Sequence, residues 1–522
     1  MNPLPRKVLT PEQMMAVDLA TIAAGIPGLI LMENAAHAVV ECITHNCAPV
    51  ASQRIVIFCG KGGNGGDGLA IARILHTRFQ PLRLDVLLAC DPLELRGEAA
   101  VNLKMLSAAG VQILPAITPA MSAANVVVDA VLGTGLNGAA GGRALEAIQA
   151  INTRFPVARV IAVDIPSGLS GATGAIPGDY VRADATVTFT APKLCHVLAP
   201  AANLMGDLRI VRIGSNPALF ENDTSIWTSL ITAESLAPLF EPRARHANKG
   251  SYGHLLIVAG SRGKSGAAAM AALAALRCGA GLVTVACPQS ALPAIAAFAP
   301  EIMTEPLAES EAGLLAESAG DRILELVQTR DVVAIGPGLG QSAELRELVG
   351  RLFRSLERPL IADADALNAL AGTDWRAPAG QIRVITPHPG EMSRLAGTAT
   401  AAIQADRISA ARALARERGT TVVLKGERTL LAFPDGRVWV NPTGSPAMAT
   451  GGTGDILTGM VGAMMAQFPS DRDRAVAGAV YLHGKAGELA ARDLGEQPVI
   501  ATDLLRYFPE GIRGILHPPH EL

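Results

Sequence analysis

Apolar residues along the chain fall into short unbroken runs separated by glycine-rich turns and by longer stretches whose apolar positions recur every three or four residues. The runs read as strands buried on both faces and the stretches as amphipathic helices. The chain opens with helices: Thr10-Pro11-Glu12-Gln13 is a capping box with proline at the first helical position, and Met14, Val17 and Leu19 continue the pattern. From Arg54 a βα alternation begins, with strand 55–59, a glycine loop, helix 69–78, strand 83–90, helix 97–109, strand 125–129, helix 143–154, strand 159–163, and strands near 184–190 and 208–213. Right-handed crossovers then demand a mostly parallel sheet between two helical layers.

The rhythm lapses between Pro217 and Lys249, where prolines mix with the basic cluster from Arg243 to Lys249. A junction near residue 220 divides the chain into domains 1–220 and 221–522. The second alternation predicts strand 254–259, helix 266–279, strands 282–286 and 332–335, helix 341–354, strands 359–362 and 382–385, helix 404–417 and strand 421–424. A hairpin turning at Asp435-Gly436 and helices 454–466 and 473–491 complete it. The expected fold class is α/β, with two three-layer αβα domains.

Composition narrows the partners. Apolar residues make up 49% of the 522, charged residues 17% and aromatics 3%, the balance of an α/β enzyme with buried parallel strands. Net charge is −3, with 44 basic and 47 acidic residues evenly mixed, so no basic stripe invites nucleic acid or anionic lipid. Seven scattered cysteines without a C-x-x-C point to reduced thiols, packing roles and a cytoplasmic setting. The N-terminus lacks the basic and apolar regions of a signal peptide, and prolines interrupt the uncharged stretches 105–128 and 278–300, so no membrane span is expected. Small molecules are the expected ligands, and a homo-oligomer the expected assembly.

Candidate chemistry gathers at strand ends. Gly60-Lys61-Gly62-Gly63-Asn64-Gly65-Gly66-Asp67-Gly68 follows a strand and contains G-x-G-x-x-G, a turn suited to phosphate; Asp85 has the spacing of a ribose-binding acid but sits too early in its strand. Asp129 and Asp164 each close a predicted strand, where α/β ligands collect. Asn64, Asp129 and Ser167 offer hard oxygens to a cation, leaving Asp164 as an acid or base. Helix capping is the alternative reading of each aspartate taken singly. In the second half Gly451-Gly452-Thr453-Gly454-Asp455 enters an apolar helix, combining amides for phosphate with a carboxylate able to accept a hydroxyl proton, and kept ionised by the helix dipole. Lys425 stands where it can face phosphates, and His388 is fixed between two prolines.

Leu31 to Ala35, Asn64-Gly65-Gly66-Asp67-Gly68, Asp129 with Gly133-Thr134-Gly135, and Asp164-Ile165-Pro166-Ser167-Gly168 resemble the NAD(P)H-hydrate epimerase domain over most of residues 1–215. That resemblance implies a Rossmann-like fold and interconversion of the R and S epimers of the hydrated cofactors NADHX and NADPHX. It places K⁺ on Asn64, Asp129 and Ser167, and substrate on Gly63 to Asp67 (Gly63, Asn64, Gly65, Gly66, Asp67), on Gly133, Thr134, Gly135, Leu136, Asn137, Gly138 and Ala139, and on Asp164. Gly63 stands where the family has a first asparagine, which removes that side chain's contact.

Lys249-Gly250 with Gly253, Gly266-Ala267-Ala268, Gly336-Pro337-Gly338, Asp363-Ala364-Asp365, Thr386-Pro387-His388-Pro389-Gly390-Glu391 and Gly451 to Asp455 resemble the ribokinase-like superfamily over about 245–510, and within it the ADP- or ATP-dependent NAD(P)H-hydrate dehydratases. By that resemblance Ala267, Gly338, His388 and Asp455 touch the hydrated dinucleotide. Lys425, Gly426, Glu427, Arg428, Thr429 and Gly454 touch ADP or ATP, the phosphoryl donor, with Mg²⁺ in attendance. Two other readings stand beside this one: a vitamin-type small-molecule kinase fused to a dinucleotide-binding module, since fold does not settle function, and a non-catalytic nucleotide sensor.

Overall fold

The computed structural model describes residues 4–518, which form two compact units, Arg6–Ile226 and Trp227 onward. In the first, seven parallel strands lie in the spatial order Ile113–Leu114, Arg83–Leu88, Arg54–Cys59, Val126–Ala130, Arg159–Val163, Ala185–Phe189, Asp207–Val211. The central strand Val126–Ala130 is buried along its whole length, as an apolar run between two helical layers must be. The capping box at Thr10 starts the helix Pro11–Ala23, and a second opening helix covers Gly28–Asn46.

The glycine-rich segment departs from the expected loop. Its helix begins at Gly63, six residues before the predicted start, and Asp67 lies in its second turn rather than at its entry. Close packing outweighs the poor helix propensity of glycine here. A Cβ on Gly65 would stand 1.8 Å from the Gly60 carbonyl oxygen, and one on Gly68 2.7 Å from Ala130 Cβ.

In the second unit a mixed sheet runs Thr228–Leu230, Val438–Val440, Leu430–Ala432, Thr421–Leu424, Arg383–Ile385, Leu360–Ala362, Val332–Ile335, His254–Val258, Leu282–Pro288, Met303–Leu307. All pairs are parallel except the two flanking Leu430–Ala432, which belong to the anticipated hairpin. Strands 228–230 and 303–307 and helices Ala319–Val327 and Leu504–Leu516 were not expected from the sequence.

Helices Ser265–Arg277 and Thr453–Gln467 pack almost backbone to backbone, because a Cβ on Gly459 would meet the Ala271 carbonyl oxygen at 1.9 Å. Ala268, Ala271, Ala272 and Ala275 are fully buried along this seam. That contact fixes the helix whose first turn carries Asp455. The described cysteines are all unpaired thiols, and no single described helix is long and apolar enough to cross a membrane.

Candidate functional site

In the first unit the carboxyl edge of the sheet gathers two constellations. Asp129, the penultimate residue of its strand and fully buried, accepts hydrogen bonds from the Ser167 amide (2.7 Å), the Ser167 hydroxyl (2.6 Å) and the Val131 amide (3.3 Å). Burial lifts its pKa to about 6 against the pull of those donors. The Ser167 hydroxyl accepts from the Leu132 amide (2.8 Å), while Asn64 Nδ2 donates to the Leu132 carbonyl (2.9 Å). Asn64 Oδ1 is thereby left buried with no partner. An orphaned amide oxygen beside a buried carboxylate, a hydroxyl and a carbonyl is a donor set for a hard cation.

Asp164 adopts a left-handed backbone, φ +65°, directly after its strand. Lys193 holds it there. The ammonium, 1% exposed, donates to Asp164 Oδ1 at 2.6 Å, to Thr188 Oγ1 at 2.9 Å and to the Phe189 carbonyl at 3.1 Å, while the Thr188 hydroxyl donates to Asp164 Oδ1 at 2.9 Å. His196 Nδ1 accepts from the Lys193 amide, so its Nε2–H donates to the Asp164 carbonyl at 2.9 Å. Burial alone would raise the Asp164 pKa, but the Lys193 charge and hydrogen bonds bring it below the usual carboxylate range. Burial keeps His196 neutral, its pKa lowered to about 4.

A cavity of about 580 Å³ opens over these groups. Of the expected substrate residues, Gly63, Asn64, Asp67, Gly133, Thr134, Gly135, Leu136 and Asp164 line it. Gly65 and Gly66 do not; both are buried in the helix against Gly60 and Met32. Asn137, Gly138 and Ala139 lie on an exposed stretch beyond the cavity lining. Lys193 and Asp18 also line it, and no sequence motif had marked either.

In the second unit Asp363 organises the edge. Fully buried after its strand, it accepts from Thr386 Oγ1 (2.7 Å), Thr458 Oγ1 (2.8 Å) and Lys425 Nζ (2.8 Å), tying three strand ends to the helix Thr453–Gln467. Lys425 also lies 3.7 Å from Glu391, and these two carboxylates hold its pKa up although burial lowers it. Arg407 donates to the carbonyls of Leu424, Lys425 and Glu427, fixing the backbone of the expected nucleotide residues 425–429. Within that turn Gly426 and Arg428 have φ of +132° and +54°, and Thr429 Oγ1 bonds the Gly426 carbonyl.

Gly452, at φ +98°, caps the helix, and Asp455 is its third residue. A Cβ on Gly454 would stand 3.4 Å from Lys425 Nζ, so the glycine turn and the lysine adjoin. The sequence led to the expectation that the helix dipole keeps Asp455 ionised; the carboxyl is nonetheless harder to ionise than an ordinary one. Burial and the charge of Asp363 raise it to about 6, with Lys425 opposing. Gly338 and Ala267 meet, a Cβ on the former lying 3.0 Å from the methyl of the latter. His388 is exposed and caps the helix Pro389–Ala396, its Nδ1 accepting from the Gly390 amide at 3.0 Å, while its own amide bonds Glu391.

Comparison with known proteins matches both halves. Residues 255–510 fit the family described as NAD(P)H-hydrate dehydratase, and residues 28–195 the YjeF-related protein N-terminus. A bifunctional NAD(P)H-hydrate repair enzyme from Moorella thermoacetica is 43% identical over 520 residues, 97% of each chain. Its Escherichia coli counterpart is 35% identical over 486 residues, 92% of this chain and 90% of that one. An ADP/ATP-dependent NAD(P)H-hydrate dehydratase structure from Bacillus subtilis, co-crystallized with ATP/Mg²⁺, is 33% identical over 55% of this chain and 98% of its own, with a TM-score of 0.49.

Proposed function

The chain belongs to the family of bifunctional NAD(P)H-hydrate repair enzymes, and on that premise we infer how its two units share the work. It is an NAD(P)HX epimerase joined to an ADP/ATP-dependent NAD(P)HX dehydratase. Epimerisation falls to Arg6–Ile226 and dehydration, of the S epimer, to the unit from Trp227 onward. NADHX and NADPHX are the substrates, and the working assembly is a homo-oligomer in the cytoplasm.

The observation that carries the dehydratase assignment is Asp455 in the first turn of a glycine-capped helix, next to Lys425 and the ring of Asp363 and Glu391. Hydroxide leaves a reduced nicotinamide ring poorly, so the hydroxyl is first made a better leaving group. Asp455 accepts its proton as the hydroxyl oxygen attacks the terminal phosphorus of ADP or ATP, and AMP departs when ADP is the donor. Amides of the Gly451–Gly454 turn and the Lys425 ammonium face the charge in transit. The ring nitrogen's lone pair then expels phosphate, and loss of a ring proton restores the double bond. Among the described residues no three His, Cys, Asp or Glu side chains form a metal cage, so Mg²⁺ fits this edge as an ion carried by the nucleotide phosphates, whose charge it offsets.

In the epimerase unit K⁺ fits Asn64 Oδ1, Asp129 and Ser167, since the first is orphaned and the second is a buried carboxylate. Bound there, it balances that charge and steadies the turn at Leu132–Gly133. Asp164, kept ionised by Lys193, is the base at the hydrated ring.

Two substitutions separate the activities. Asp455→Asn should cut nucleotide-dependent dehydration at least 100-fold or so, the usual scale for a lost acid–base group, and spare R/S exchange. Asp164→Asn should do the reverse. Near-normal dehydration by the first variant, or near-normal exchange by the second, would retire the corresponding assignment.

A further inference from the structure

We propose that Asp18, on the helix Pro11–Ala23, is a second catalytic carboxyl of the epimerase cleft, exchanging a proton with the substrate hydroxyl in partnership with Asp164. The inference rests on the assignment of epimerisation to this unit. Asp18 lines the same cavity as Asp164 and Lys193. Its Oδ1 is buried yet has no hydrogen-bond partner, whereas the Lys193 ammonium and Asp164 Oδ1 are engaged with one another and with Thr188 and Phe189. An unmet carboxyl oxygen on a cavity wall is free to meet a bound hydroxyl.

Inverting a carbon that carries both a hydroxyl and the ring nitrogen needs two proton-handling groups. One gives a proton to the departing hydroxyl, the C–O bond breaks with its electrons staying on oxygen, and the nitrogen lone pair forms a C=N bond. Water then adds to the other face, the C=N π pair returns to nitrogen, and the second group takes the proton from that water. One proton has passed from the first carboxyl to the second, and solvent in the cleft returns it, so no other reagent is consumed.

The two carboxyls are set apart for these duties. Asp164 is held ionised by its contact with Lys193. Asp18 lacks such a contact: burial raises its pKa to about 6, Lys193 pulls it back from further off and Asp164 pushes it up. Asp67, half-buried in the helix Gly63–Ile74 and lining the same cavity, has its own pKa raised by burial and by Asp164 and Asp18. Carboxyls whose environments drive their pKa values apart divide into acid and base.

The test uses the full-length chain and mixed R and S hydrates without nucleotide, following R/S exchange. Asp18→Asn should lower kcat by about 100-fold or more with KM little changed. The fall of the wild-type rate as pH rises above about 6 should vanish from the residual activity. Asp18→Glu, which restores a carboxyl, should recover part of the rate and that pH limb. A wild-type exchange rate in Asp18→Asn, or an unaltered pH profile, overturns the proposal while leaving the epimerase assignment intact. A wild-type chain inert towards exchange overturns both. Should asparagine upset the helix, seen as a lowered melting temperature, the Glu variant decides alone: loss of the limb despite a retained carboxyl overturns the proposal.

Discussion

Replacing Asp455 by asparagine should stabilise the second unit at neutral pH while abolishing its chemistry. The carboxyl is displaced from 3.8 to about 6, chiefly by burial and then by Asp363, with Lys425 countering. A folded-state pKa above the unfolded one means the native state holds this proton more tightly than the unfolded chain. The favourable contribution is complete below pH 3.8 and is lost as pH rises through 6. Above that, keeping Asp455 ionised costs roughly 3 kcal/mol relative to a neutral group, by linkage. Asparagine removes the charge, and since the amide still loses water on burial, the gain is an upper bound. For a unit of this size it corresponds to a rise in melting temperature on the order of 5 °C. Calorimetry of both proteins without nucleotide, from pH 4 to pH 8, provides the assay. The difference should be near zero at the acid end and grow towards pH 8. A variant that melts no higher than wild type at pH 8, or one with the same advantage at pH 4, would refute the electrostatic reading.

Other perturbations probe the first unit. Lys193→Met strips the partly buried Asp164 of its partner and should destabilise by up to about 3 kcal/mol, measured by urea unfolding, because a poorly compensated charge remains at the cavity wall. Gly65→Ala should be severely destabilising, its methyl forced to within 1.8 Å of the Gly60 carbonyl, whereas Gly63→Ala meets nothing within 4 Å and should keep the wild-type melting point. K⁺ should raise the melting temperature of wild type above its value in a large organic cation, and Asn64→Ala should shrink that difference; equal K⁺ effects in the two proteins would remove Asn64 from the cation site.

The strands whose ends carry Asp129, Asp164, Asp363 and Lys425 were legible because parallel strands buried on both faces leave unbroken apolar runs, and the next polar residue falls at the sheet edge. Asp455 was legible from the glycines before it; its raised pKa was not, since Asp363 lies 92 residues away in sequence and reaches it only through the fold. Lys193 and Asp18 sit in segments without a motif, and only tertiary packing brings them to one cavity. The early start of the helix at Gly63 was hidden for a related reason: glycine's weak propensity is local, while the close contacts that need it are not. Pro306 in the strand Met303–Leu307 and Pro509 inside the helix Leu504–Leu516 masked those elements, the first at a sheet edge where proline is tolerated.

The most direct test follows absorbance at the reduced-nicotinamide band after the chain is mixed with both epimers of the hydrate, alone and with ADP or ATP. No recovery is expected without nucleotide, and complete recovery of both epimers with it. Equal recovery in its absence, or a phosphorylated product that accumulates without regenerating the cofactor, would contradict it.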